Sequence, residues 1–207
     1  MKLGLVVEGF ADGAVCAIAA RRLISGVNVH EPTVMINRPK LLSGCGSAAA
    51  ALLEFGKCHK VLIVWDLHPN WADKKFKPCR HTDKQRALAS IKSAGLDADP
   101  RVVLVCISRE LETWLIADTA ALTTVLAKYN SPDRIENINL PGKPERHPDP
   151  KGWLEDKFAQ NARGTKYLDR DHGPALMSAV RDLKALKGIE SFKRFAERVS
   201  GKKWPAQ

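Results

Sequence analysis

Four short apolar runs in the first half of the chain, separated by segments of helical character, constrain the fold most strongly. They cover residues 2–7, 33–36, 60–65 and 102–107. Each has the length of a strand, and their nearly continuous apolar character fits strands covered on both faces rather than strands with one wet side. Between the first two runs, Asp12 as an N-cap predicts a helix that carries Val15, Ile18, Ala19 and Leu23 and stops near Gly26. Further helices are predicted over 47–55, with Gly56 as the stop, and over 83–94. Another begins near Glu110. This alternation predicts an α/β fold: a mostly parallel sheet with helices on both faces.

Past Asp118 the pattern changes. Pro132, Pro141, Pro144, Pro148 and Pro150 mark a long irregular stretch, and helices are predicted over 152–161, 174–186 and 191–199. The expected organisation is a core over 1–118 and a helical extension over 119–207 packed on it.

Composition narrows the class. With 207 residues, 44% of them hydrophobic and 27% charged, the chain can bury a sizeable core, which excludes disorder, collagen and a disulfide-stapled miniprotein. No apolar run approaches the roughly 18 residues of a membrane span, and the apolar N-terminal stretch breaks at Glu8, unlike a secretory signal. A cytoplasmic protein with no membrane partner is expected. Five cysteines (16, 45, 58, 79 and 106), odd in number and without CxxC spacing, read as buried thiols. A zinc site drawn from Cys58, His59, His68, Cys79 and His81 is disfavoured, because only Cys79 and His81 form a tight pair. The net charge of +10 points to a polyanionic partner, most simply nucleic acid.

In open parallel sheets ligands gather at the carboxyl ends of the strands. Three of the four runs meet acids there: Glu8 after the first, Asp66 after the third, and Glu110 and Glu112 past the fourth. Each alone also reads as an acid favoured by a helix dipole. Brought together, carboxylates repel one another unless a cation sits between them, and oxygen ligands suit Mg²⁺ or Mn²⁺. Glu110 and Glu112 would point about 200° apart on a helix, so both reach one ion only if Glu110 lies in the preceding loop. Leu111, Trp114 and Leu115 are the expected buried stripe.

Basic residues supply the candidate phosphate contacts. The stretch 65–81 mixes aromatic with basic side chains, a combination able to stack bases and neutralise phosphates but also compatible with a solvated loop. Residues 151–207 hold 13 Lys and Arg against 7 Asp and Glu. Arg109, Lys151, Arg163 and Lys166 are the candidate nucleic-acid contacts. A Gly-rich phosphate loop and a GxSxG nucleophile elbow are both absent. The small-residue segment 43–47 is expected as a turn before a helix, with room for an anion at its N-terminus.

Val7-Glu8-Gly9 with Asp12, followed by an apolar strand ending in Asp66-x-His68, resembles the Toprim domain of topoisomerases, primases and overcoming-lysogenization-defect nucleases. The segment from Arg109 through Glu110, Glu112 and Trp114 to Asp118 is similar to one in a bacterial Toprim-like family often found near mobile or defence genes. Lys166-Tyr167 and Ser191-Phe192 extend that similarity. The resemblance implies a Toprim-like, Rossmann-like core and a nuclease dependent on Mg²⁺ or Mn²⁺ that acts on DNA or RNA. It implies Glu8 as general acid/base or ligand, Asp66 as metal holder, and Glu110 or Glu112 completing the shell. His68 replaces the second Asp of the Toprim pattern, which leaves open a different metal, a catalytic His, or a degraded site. The alternative reading is a non-catalytic module of the same fold, a nucleic-acid-binding or partner subunit in a defence or toxin-like system with a protein partner. A small-molecule phosphate enzyme is a third.

Overall fold

The computed structural model describes residues 1–67, 79–135, 138–140 and 142–205. Its centre is a five-stranded parallel sheet. Strands β1 (Lys2–Val7), β4 (Lys60–Asp66) and β5 (Val102–Ile107) are the three long ones, while β2 (Asn28–Val29) and β3 (Thr33–Val34) pair in turn along the outer side of β1. The order is β2-β1-β4-β5, with Val6 opposite Ile63 and Asp66 opposite Ile107. This is the α/β arrangement expected from the alternating runs.

Side chains alternate across the sheet, and both faces are covered. Leu3, Leu5, Val7, Leu62, Val64, Val105 and Ile107 point to one core, closed by α1 (Phe10–Leu23) and by helices from the second half of the chain. Val6, Val61, Ile63, Trp65 and Cys106 point to the other, closed by α2 (Arg38–Glu54) and α3 (Arg80–Ser93). The second-half helices are α4 (Glu112–Leu115), α5 (Thr119–Leu126), α6 (Pro150–Asn161), α7 (Asp169–Ala179) and α8 (Glu190–Ser200), with single 3-10 turns at 132–134, 144–146 and 183–186. Phe158, Leu176, Phe192 and Phe195 belong to the same core as β1, so the first strand and the last helix pack into one apolar mass.

Several predicted boundaries move. The N-cap of α1 is Gly9, not Asp12; Asp12 lies in the first turn and its Oδ2 accepts the Gly9 N–H at 2.8 Å. The run 33–36 is strand only to Val34, because the chain turns at Ile36, whose φ of 74° is the left-handed conformation a β-branched residue resists. Helix α2 starts nine residues early, capped by Asn37 accepting from the Lys40 N–H at 3.0 Å, with Pro39 in its first turn. The segment 43–47 is therefore helix interior and not an anion-binding turn. Its small residues serve packing: a Cβ on Gly46 would stand 2.0 Å from the Ser90 carbonyl oxygen of α3, and the Gly46 N–H donates to Ser90 Oγ at 3.0 Å. Helix α7 opens at Asp169, earlier than expected, and takes Pro174 into its interior; at its start the Leu168 N–H donates to His172 Nδ1 at 2.8 Å.

Cys16, Cys45, Cys58 and Cys106 are buried, as expected, and burial pushes the Cys106 thiol up to about 12. Cys79 differs: it is exposed, at the N-cap of α3. Cys58 and His59 precede β4 while Cys79 and His81 follow it, so a strand of about 20 Å separates the two pairs. No helix among the described residues is long and apolar enough to cross a membrane.

Candidate active site

Four carboxylates from separate segments meet at the carboxyl edge of the sheet. Glu8 follows β1 directly, and its Oε1 accepts the backbone N–H of Asp66 at 3.2 Å. Asp66 is the last residue of β4; its Oδ2 accepts the Leu111 N–H at 3.2 Å. Asp12 sits one helical turn beyond Glu8 on α1. Glu112 opens α4 and is 8% exposed.

The short helix α4 cannot hold itself in place, since four residues make too few internal bonds. Its apolar stripe does so. Leu111, Trp114 and Leu115 are buried, as their spacing predicted. The Trp114 indole lies 5.1 Å from the Phe192 ring and 5.2 Å from the Phe195 ring, and its Nε1 donates to Ser191 Oγ at 3.1 Å. The Ser191 N–H in turn donates to Glu145 Oε1 at 3.1 Å. Helix α8 and the 144–146 turn thus fix the element that carries Glu112.

Burial and mutual repulsion dominate the electrostatics. Burial raises the Asp66 carboxyl well above its usual range, and Asp12, Glu8 and Glu112 push it in the same direction. Glu8 is raised to about 7 by burial and then by Asp12, against the hydrogen bond from Asp66 and the charge of Arg38. Glu112 reaches about 7, mainly through burial, with Lys151 opposing. Asp12 reaches about 6 for the same first reason, the Gly9 N–H and Lys151 opposing. Lys151 Nζ lies 3.0 Å from Asp169 Oδ2 and brings positive charge to this acidic group. Burial also raises the Tyr167 phenol, with Glu112 next in effect, and its hydroxyl is buried without a hydrogen-bond partner.

The donor chemistry fits a hard divalent ion: the oxygens are all carboxylate, and Glu110 adds a buried Oε2 that has no hydrogen-bond partner. In the positions described, backbone N–H groups occupy one oxygen each of Glu8, Asp66 and Asp12. Among the described residues, no group of three or more His, Cys, Asp or Glu is placed to hold a metal ion.

The fold brings Glu8 and Glu112 within electrostatic reach of Asp66, and Lys151 within reach of Asp12 and Glu112. Glu110 precedes α4, in the loop position its spacing required, and its charge acts on Glu112. His68 and most of the 65–81 stretch lie outside the described residues. Arg109 is engaged with backbone, its Nε donating to the Glu145 carbonyl at 3.2 Å and its Nη1 to that of Pro148 at 3.3 Å. Arg163 Nε donates to Asn130 Oδ1 at 3.1 Å, and Lys166 is exposed. Asp12, Asp169 and Tyr167 are members that the strand-end rule did not select. Asp12 and Tyr167 stand in motifs read from the sequence, beside Glu8 and Lys166, and that was their signal; Asp169 had none. In comparisons with protein-family models, curated proteins and solved structures, nothing matches this chain.

Proposed function

We propose that the protein is a divalent-metal-dependent nuclease of the Toprim kind, hydrolysing phosphodiester bonds in DNA or RNA. The convergence of Glu8, Asp12, Asp66 and Glu112 at one sheet edge, where each raises the proton affinity of another, carries this reading. Repulsion among buried carboxylates is relieved either by protons or by a cation, and only the cation makes the arrangement useful to a phosphate substrate. Asp66 and Glu112 would hold Mg²⁺ or Mn²⁺, with Glu8 as a further ligand or as the group that takes a proton from water, and Glu110 completing the set. When bound, the ion supplies positive charge to the scissile phosphate and lowers the pKa of bound water. Lys151 offsets negative charge beside Glu112 and Asp12, and Asp169 holds its ammonium in that position.

The test is cleavage of labelled single- and double-stranded oligonucleotides by the purified chain with Mg²⁺ and Mn²⁺, beside Glu8→Gln and Asp66→Asn. Cleavage lost in both variants supports the reading, and cleavage unchanged in either rejects it. A second reading, a non-catalytic nucleic-acid-binding or partner subunit, is favoured by the backbone N–H groups that already occupy three of the carboxylates. Calorimetric titration separates the two, since a non-catalytic relic takes up neither ion.

A further inference from the structure

Three cavities lie end to end beside the edge strand β5 and helix α8, and neighbours share walls. The first, about 450 Å³, is bounded by Arg80 and Lys84 of α3 and by Arg194 and Arg198 of α8, with Val103 and Val105 of β5 also lining it. The second, about 430 Å³, shares Val103, Arg194 and Arg198 with the first and adds Lys60, Lys202 and Lys203. The third, about 610 Å³, shares Lys202 and Lys203 with the second and ends at Arg22, Arg181 and Lys184. Ten Lys and Arg line this path against two acids, Asp182 and Glu197.

Among the described residues the cations outnumber the carboxylates and form no ion pair with them. The ion pairs among the described residues join Arg38 to Asp83, Arg101 to Asp99 and Lys151 to Asp169, and none involves the groove. Three groove side chains are held by neutral oxygens instead: Arg22 by the Met177 carbonyl at 2.7 Å, Lys60 by that of Arg198 at 2.9 Å, and Arg194 by Ser108 Oγ at 3.3 Å. Burial, and after it the repulsion of Arg80, lower the proton affinity of Arg194, with Glu190 and Glu145 opposing. Adjacent guanidiniums are good partners for oxyanions, which they grip in a two-point fork.

We propose that this groove binds a nucleic-acid strand, tracking its phosphates along α8 and β5 toward the carboxylates. The path reaches that edge at two points. Arg80 stands at the start of α3, the helix that follows β4, and Arg194 contacts Ser108, two residues before Glu110. The direction of the strand rests on the nuclease reading; its binding does not. An acidic protein fits less well, because protein interfaces draw on an apolar, aromatic centre with charge at the rim, whereas charge here runs the whole length of the groove. A row of cations that outnumbers its acids five to one is the complement of a phosphate chain.

The test uses the full chain with a fluorescein-labelled 20-nucleotide DNA in EDTA, read by anisotropy across a NaCl series. Lys84→Gln, Lys202→Gln and Lys203→Gln combined, all at exposed positions, should weaken binding at least tenfold at low salt and reduce the log–log salt slope by about 2. The control combines Lys40→Gln, Lys92→Gln and Lys128→Gln, exposed residues outside the groove with the same loss of charge, and should stay within twofold of the parent. Equal weakening in both sets overturns the proposal, as does displacement of the DNA by polyglutamate as effectively as by unlabelled DNA. Asp66→Asn separates this from the catalytic reading: cleavage fails there while binding stays.

Discussion

The acidic pocket and the cationic groove meet near the carboxyl ends of β4 and β5, yet they are built in opposite ways. The pocket concentrates charge in the interior: its members come from β1, α1, β4 and α4, and burial is the first cause of every shift in it. The groove spreads charge over mostly exposed side chains, none of which forms an ion pair with a described residue. Buried like charges are costly and are kept only where the surrounding fold holds them in place; exposed like charges cost little and are tuned by salt. On the proposed reading, the first region would carry the chemistry and the second the affinity.

The sharpest way to break that division is Asp66→Asn, which should lower metal-dependent cleavage at least 100-fold while oligonucleotide binding in EDTA stays within twofold. Loss of both together would merge the two regions into one. Next is the pH dependence of stability without divalent ions. Glu8, Glu112 and Asp12 have proton affinities raised by folding, so the folded chain holds more protons than the unfolded one. Their stabilisation is complete below about pH 4 and is lost as pH rises through 6 to 7. For Glu8 alone the loss is on the order of 3 kcal/mol. Thermal melts from pH 4 to 8 should fall across that window, Glu8→Gln should flatten the fall, and Mn²⁺ should restore the melting temperature at pH 8. A smaller change is expected from Lys151→Met, which removes the cation opposing Asp12 and Glu112 and should move the same fall to higher pH. The smallest is Tyr167→Phe. Removing a buried hydroxyl that lacks a partner should raise stability by about 1 kcal/mol in denaturant unfolding, with binding in the groove untouched.

The sheet was legible because its strands are covered on both faces, and runs such as 60–65 and 102–107 are apolar without interruption. The strand-end acids were legible for the same reason: once the strands are placed, Glu8 and Asp66 can only stand at one edge. What escaped was set by contacts between distant parts of the chain. The glycines of 43–47 read as a turn because glycine is a poor helix former, and only the approach of Ser90 shows why a helix carries them. Asp12 read as a cap because local rules see the helical spacing from Val15 to Leu23 that follows it and not Asp66, 54 residues away. The groove was visible only as an excess of Lys and Arg after residue 151, since its members also come from α1, β4 and α3. Lys151, picked out for phosphate, lies beside the acids and is paired to Asp169, a placement that its sequence neighbours did not announce.

The single apolar mass that joins β1 to α8 has a consequence for synthesis. A growing chain emerges from its first residues, yet Leu3 and Leu5 share their core with Phe192 and Phe195. Trp114, behind the helix of Glu112, gains two of its ring neighbours only from that final segment. Strand β1 therefore stays partly uncovered until α8 has been made, and a chain stopped before residue 190 lacks the rings that pack behind the helix of Glu112.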